Sequence, residues 1–253
     1  MRRTIVLLAT MALTLLVASG VALAATKIGG PGPDTLRGTN GADNLLGNGG
    51  KDVLYALGGR DNLLGGEGKD WVLGGNERVP KRGDKNLVGG AGNDGVVGGI
   101  GSDTVLGGSG DDFVLGDYGS DRAVVGGAGK DLLQGSRGAD RIVGGEAGDW
   151  LTEGDIDDSW KDVLSGGDGD DIFVVDNVPT TKDRVSCGNG FDRVVADRKD
   201  VVAPDCERVR VVHGTKAEVL DQEQAFIESF PQAELEFWGT FFERLAPDPT
   251  AGG

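Results

Sequence analysis

Fourteen aspartates in this chain recur in phase at intervals of nine residues, interrupted only by short insertions. A carboxylate offers two oxygen atoms, and oxygen is the ligand that hard cations such as Ca²⁺ take, about six to eight at a time. Gly stands two residues before nearly every one of these aspartates and lets backbone carbonyls approach an ion closely. The candidate metal ligands are Asp34, Asp43, Asp52, Asp61, Asp70, Asp94, Asp103, Asp112, Asp121, Asp131, Asp140, Asp149, Asp162 and Asp171.

The composition of the chain excludes most other kinds of site. One histidine, His213, and two cysteines, Cys187 and Cys206, provide almost no material for zinc sites built from His and Cys or for catalytic triads. The formal net charge of −16 repels phosphate backbones, so a nucleic-acid partner is not expected. We interpret His213 as a surface or packing residue.

A large apolar residue follows each aspartate by two positions and completes a repeating unit of nine residues; Ala123, with Val124 beside it, is the exception. The best copies are Gly107–Leu115, which reads GGSGDDFVL, and Gly166–Val174, which reads GGDGDDIFV. Over residues 29–174 this unit resembles the haemolysin-type (RTX) calcium-binding nonapeptide family.

The resemblance implies an all-β fold, a right-handed parallel β-roll (β-solenoid) in which two nonapeptides make one coil. Alternate aspartates would then stack about 4.8 Å apart, where two carboxylates repel by about 0.9 kcal/mol even in water. Several Ca²⁺ ions, about ten at most, would bridge the turns and remove this repulsion. One implied row contains Asp34, Asp52, Asp70, Asp94, Asp112, Asp131, Asp149 and Asp171, and the other contains Asp43, Asp61, Asp103, Asp121, Asp140 and Asp162.

Two irregularities interrupt the pattern. Lys85 stands where the second row requires an aspartate, and we expect its ammonium group to replace an ion there. A second defect over residues 144–165, where Ala147 and Trp160 stand at glycine positions, weakens the pattern around Asp149 and Asp162. An alternative to metal binding also remains open, because Asp is common in solvated turns and a Gly-rich solenoid could use it there without any ion.

The two ends of the chain differ from the repeats. Residues 1–24 have a basic start, an apolar run and an Ala-x-Ala end, as in a cleavable signal peptide. We therefore expect a secreted, extracellular protein, at most attached to the cell surface, with no membrane span after cleavage.

The roll is expected over 25–175 and a β cap over 176–212. In an exported protein Cys187 and Cys206 are expected to form a disulfide rather than a redox or metal site.

The remaining residues, 213–253, read as a tail with one or two amphipathic helices over 216–245, broken near Pro231. We expect the tail to pack on the roll or cap, with a partner-binding surface as the alternative; its excess of Glu disfavours membrane binding. The predicted apolar set is Leu220, Phe226, Ile227, Phe230, Leu235, Phe237, Trp238, Phe241, Phe242 and Leu245.

These expectations favour a secreted calcium-ion-binding protein whose repeats fold on Ca²⁺ binding and which has no catalysis of its own. Low hydrophobicity with high negative charge is typical of a chain that stays disordered until its charge is offset. Two alternatives remain: a cell-surface adhesin or matrix spacer, and an accessory module of a secreted hydrolase or toxin. The partners expected are calcium ions and an extracellular protein or polysaccharide.

Overall fold

A β-strand begins one residue after most of the repeat aspartates, as at Phe113 after Asp112, because aliphatic and aromatic residues follow the aspartate and glycines then turn the chain. The computed structural model describes residues 24–76, 83–154, 159–177 and 181–229. In it the strands form a parallel β-solenoid with two ten-stranded sheets, and each turn adds one strand to each sheet. This confirms the predicted all-β roll.

All neighbouring strands in both sheets are parallel, and the order in each sheet follows the chain. The first sheet contains β1 (Thr26–Ile28), β3 (Asn44–Gly50), β5 (Asn62–Gly68), β7 (Asn86–Ala91), β9 (Thr104–Ser109), β11 (Ala123–Ala128), β13 (Arg141–Glu146), β15 (Val163–Asp168), β17 (Arg184–Asn189) and β19 (Val201–Val202). The second contains β2 (Thr35–Arg37), β4 (Val53–Leu57), β6 (Trp71–Asn76), β8 (Gly95–Ile100), β10 (Phe113–Tyr118), β12 (Leu132–Arg137), β14 (Trp150–Thr152), β16 (Ile172–Val175), β18 (Arg193–Ala196) and β20 (Arg208–Val211).

The apolar residue of each repeat fills the interior between the sheets. Val96, Val114 and Leu133 lie in register on successive turns and are fully buried. Side chains alternate between the two faces of a strand, so a single large apolar side chain from most strands is enough to form this narrow core. Val124 occupies the core position in β11, which explains why Ala123 appeared as the exception.

Glycines allow the turns to stack closely. Gly108 has a φ of 129°, in the region that favours glycine. A Cβ atom on Gly108 would collide with the carbonyl oxygen of Gly90, its partner on the previous turn. The high glycine content therefore has a direct steric reason.

Within the segment expected as a cap, 176–212, strands β17 to β20 continue the two sheets. The predicted disulfide is confirmed: Cys187 and Cys206 are bonded, with their Cα atoms 5.3 Å apart. Cys187 is fully buried in β17, so the disulfide attaches the segment before β20 to the interior of the last turns.

Among the described residues, the helix α1 (Lys216–Ile227) follows the solenoid. Its buried residues Val219 and Phe226 pack in one cluster with Leu132, Ile172 and Val195 of the second sheet. The expected packing of the tail on the roll is therefore present for α1. Among the described residues, no helix is long and apolar enough to cross a membrane.

Several predictions fall outside the described residues. They concern the signal peptide apart from Ala24, the predicted helix break at Pro231, and the apolar tail residues Phe230, Leu235, Phe237, Trp238, Phe241, Phe242 and Leu245.

Candidate metal centre

Two rows of carboxylates run along the solenoid, one on each side, where the chain passes between the sheets. The structure places the fourteen predicted aspartates in the two rows expected from the sequence, and all but half-buried Asp34 are at most 3% exposed. The rows are continuous through the irregular region that contains Asp149 and Asp162, since Asp149 N donates to Asp171 Oδ1 at 2.8 Å and Asp140 N donates to Asp162 Oδ1 at 2.6 Å.

The same hydrogen bond links successive members of each row. The backbone N–H of Asp52 donates to Oδ1 of Asp70 at 2.8 Å, and the N–H of Asp103 donates to Oδ1 of Asp121 at 2.8 Å. Each bond fixes the rotation of the accepting carboxylate. The second oxygen, Oδ2, is therefore held in a constant orientation along the row.

The second row contains Asp84, which the sequence analysis missed. Asp84 is fully buried, and its Oδ1 accepts a hydrogen bond from Asp61 N at 2.8 Å. The expectation that Lys85 interrupts this row is wrong, because Lys85 is exposed and is an extra residue between Asp84 and β7. Arg122 lies in the same way between Asp121 and β11.

The rows also continue beyond the predicted repeats. Asp162 N donates to Asp183 Oδ1 at 2.7 Å, and Asp171 N donates to Asp192 Oδ1 at 2.8 Å. Asp200 and Glu207 accept the corresponding bonds from the last turn, at 3.0 and 2.8 Å. Asp183 and Asp192 are nine residues apart and each precedes a valine by two positions, so the repeat spacing, resumed after an insertion, could have revealed them.

Many of the Oδ2 atoms are buried without a hydrogen-bond donor. Among the described residues, this holds for Oδ2 of Asp52, Asp61, Asp70, Asp94, Asp103, Asp112, Asp121, Asp131, Asp149, Asp171 and Asp192. A buried carboxylate oxygen without a hydrogen-bond donor costs free energy. Because these oxygens recur at equivalent positions on successive turns, one kind of bound ligand would satisfy all of them.

The unsatisfied oxygens lie beside backbone carbonyls, with glycine at the nearest position. A Cβ atom on Gly65 would lie 2.5 Å from Asp70 Oδ2 and 2.5 Å from the carbonyl oxygen of Gly89 on the next turn. The same arrangement recurs at Gly89, where a Cβ atom would lie 2.6 Å from Asp94 Oδ2 and 2.7 Å from the carbonyl oxygen of Gly107. Glycine therefore leaves carboxylate and carbonyl oxygens facing one another.

Burial raises the pKa values of several row carboxyls. The pKa of Asp112 rises to about 9, first because of burial and then because of the charges of Asp131, Asp94 and Asp111, although the hydrogen bond from the Asp94 backbone lowers it. The pKa of Asp149 also rises to about 9, with burial as the main cause. At neutral pH these carboxyls would hold protons unless a cation replaced them.

The residues present fit Ca²⁺. Carboxylate and carbonyl oxygens are its preferred ligands, and the pairing of oxygens from neighbouring turns would allow a cation to join those turns. Bound there, the cation would neutralise the buried charge. The rows contain no nitrogen or sulfur side-chain ligand, which makes a zinc site a poor fit.

Comparison with known proteins agrees with this chemistry. The chain matches the family described as "RTX calcium-binding nonapeptide repeat (4 copies)" over residues 28–63, 47–77, 88–123, 115–151 and 161–177, which together cover slightly more than half of its length. No curated protein matches the chain.

Proposed function

The chain belongs to the RTX calcium-binding nonapeptide repeat family, and from that premise we propose that it is an exported protein whose solenoid folds around Ca²⁺ ions held by the two aspartate rows. We propose further that it has no catalytic activity of its own. Calcium binding is the property of the family; we propose in addition that the ions drive folding and that the row aspartates are their ligands.

One observation carries the proposal: buried Oδ2 atoms recur without a donor along both rows, as at Asp94 and Asp121. Without a cation, these carboxylates must either take up protons or repel one another across successive turns. Both alternatives disfavour the folded state at neutral pH. A Ca²⁺ ion between two turns would remove the cost and add bonds that exist only in the folded chain.

Two features of the chain support export. The pattern of residues 1–24 indicates a signal peptide, and the Cys187–Cys206 disulfide is typical of an oxidising compartment. Calcium is present at millimolar levels outside cells, the range in which extracellular modules bind it. The chain would then remain unfolded before export and fold outside.

A titration of the purified protein with Ca²⁺, followed by far-UV circular dichroism, tests the function. We expect a cooperative transition from coil to β structure that EDTA reverses and that Mg²⁺ at the same concentration does not produce, because Mg²⁺ demands tighter octahedral geometry. A β spectrum that stays unchanged in EDTA would contradict calcium-driven folding and favour a solenoid that needs no metal.

A further inference from the structure

Glu153 occupies a position where the preceding turn has glycine. Gln134 of β12 pairs with Thr152 of β14, so Glu153 lies in register with Gly135. Leu151 and Glu153 are buried while Thr152 between them is partly exposed, which shows that Glu153 points into the solenoid. An acidic side chain therefore enters the interior at this point, beside the second aspartate row.

Three carboxylates converge there. Ligand oxygens of Glu153, Asp162 and Asp183 all lie within 4.8 Å of one another, and each of the three residues is at most 3% exposed. Asp162 and Asp183 are successive members of the second row, linked by the hydrogen bond from Asp162 N to Asp183 Oδ1. Glu153 thus adds a third carboxylate to a pair of row aspartates.

Among the described residues, the side-chain hydrogen bonds to Glu153 and Asp183 come from neutral donors. Asn177 Nδ2 donates to Glu153 Oε2 at 3.0 Å and to Asp183 Oδ2 at 3.1 Å, and Thr181 Oγ1 donates to Asp183 Oδ2 at 2.9 Å. The other oxygen of Glu153, Oε1, is buried and accepts no hydrogen bond from the described residues. One oxygen of a buried side chain is therefore left for a ligand.

The electrostatic environment of Glu153 is strongly unfavourable to a bare charge. Oxygens of Asp162 and Asp183 lie within 4.8 Å of an oxygen of Glu153, so their negative charges repel a charge on the Glu153 carboxylate. A bound divalent cation would satisfy Glu153 Oε1 and offset all three charges at once.

We propose that Glu153, Asp162 and Asp183 form a divalent-cation site that the nonapeptide pattern does not encode, with Glu153 as a side-chain ligand that the repeats lack. The ligands are all oxygen, so the cation is a hard one, and Ca²⁺ is the ion that the rest of the row would bind. Because affinity rises with the number of charged ligands, this site binds Ca²⁺ more tightly than the two-carboxylate sites of the row. The inference rests on the proposed function, since Asp162 and Asp183 belong to that row.

Equilibrium dialysis against ⁴⁵Ca²⁺, over a series of buffered free Ca²⁺ concentrations, tests this site. Glu153→Gln keeps the size of the side chain and removes its charge. Glu146→Gln is the matched control, because Glu146 ends β13 on the same part of the solenoid and is exposed. We expect E153Q to lose the tightest binding step, so that it takes its first ion at about tenfold or higher free Ca²⁺, while E146Q follows the wild type.

The outcomes separate this site from the proposed function. If E153Q binds as many ions as the wild type at the same free Ca²⁺, Glu153 is not a ligand, while Ca²⁺ binding by the aspartate rows is still supported. If the wild type binds no Ca²⁺, the proposed function itself is wrong. Should E153Q fail to fold, Glu153→Ala repeats the test, because Ala56 is fully buried at the corresponding inward position of an earlier turn.

Discussion

The backbone N–H of Asp94 donates a 2.8 Å hydrogen bond to Oδ1 of Asp112 on the next turn of the solenoid. This bond couples the carboxylates of neighbouring turns through the main chain and leaves Asp112 Oδ2 buried without a donor. Each aspartate thus acts twice, as an acceptor that aligns the turns and as a candidate ligand between them. The bond explains why the fold and the proposed metal binding depend on the same residues.

Replacing Asp112 with Asn should weaken calcium-driven folding. The amide can still accept the Asp94 N–H through its oxygen but lacks the negative charge, so we expect the Ca²⁺ midpoint of the circular dichroism transition to rise by about tenfold, equivalent to about 1.4 kcal/mol. Asp111→Asn is the control, because Asp111 is the adjacent residue and lies outside the row. Equal shifts in the two variants would indicate a general charge effect.

Gly65→Ala should disturb one site directly. A Cβ there would lie 2.5 Å from both Asp70 Oδ2 and the Gly89 carbonyl oxygen, so one pair of turns must separate and we expect at least one ion to be lost in ⁴⁵Ca²⁺ dialysis. In Gly49→Ala the nearest atom to the new Cβ is 3.9 Å away, which should leave ion binding unchanged. An unaltered ion count in G65A would argue against carbonyl and carboxylate ligands at this position.

The solenoid without calcium should become less stable as the pH rises. The pKa of Asp112 and Asp149 is about 9 in the folded chain, against about 3.9 when unfolded. Between these values the folded chain binds more protons than the unfolded chain, so raising the pH favours unfolding. In EDTA, far-UV circular dichroism should therefore show more β structure at about pH 5 than at about pH 8.

Saturating Ca²⁺ provides the control for that pH dependence. An ion that holds the carboxylates in their charged form replaces the protons, so the free energy of unfolding should change far less over the same range. Stability in EDTA that is constant or increases with pH would contradict the burial of charged rows.

Reduction of the Cys187–Cys206 disulfide should destabilise the last turns. The bond closes a loop of 19 residues, for which the chain-entropy model gives about 3 kcal/mol. Urea denaturation in Ca²⁺, with and without a reducing agent, measures the loss. The double variant Cys187→Ala/Cys206→Ala should be insensitive to the reducing agent; if it responds, the agent acts elsewhere.

The contact between α1 and the second sheet should contribute to stability through Phe226. This side chain is 2% exposed, and Phe226→Ala should lower the free energy of unfolding by about 3 kcal/mol through lost burial and the cavity left behind. Leu220, on the same helix, is 44% exposed, so Leu220→Ala should change stability by less than about 0.5 kcal/mol. Similar losses in both variants would contradict the packing explanation, and helix propensity could not account for them, because Ala has the highest helix propensity.

The repeat made most of the solenoid predictable because its rules are local. Within nine residues, glycines form the turn, the aspartate is the candidate ligand and the aliphatic residue fills the core, so the spacing predicted the buried position of residues such as Val114. The two rows followed from this spacing together with the coil of two nonapeptides that the family resemblance implies. The pairing of Cys187 with Cys206 followed from their number and the expected compartment.

Only the tertiary structure decided which residues occupy the rows where insertions break the nine-residue spacing. An added residue moves Lys85 to the surface and lets Asp84 keep the row, because main-chain pairing between turns restores the register after an insertion. Asp183 and Asp192 enter the rows for the same reason, although their spacing of nine residues could have indicated them. The inward side chain of Glu153 meets Asp183 thirty residues away in sequence, and no local pattern can reveal a contact that stacking of turns creates.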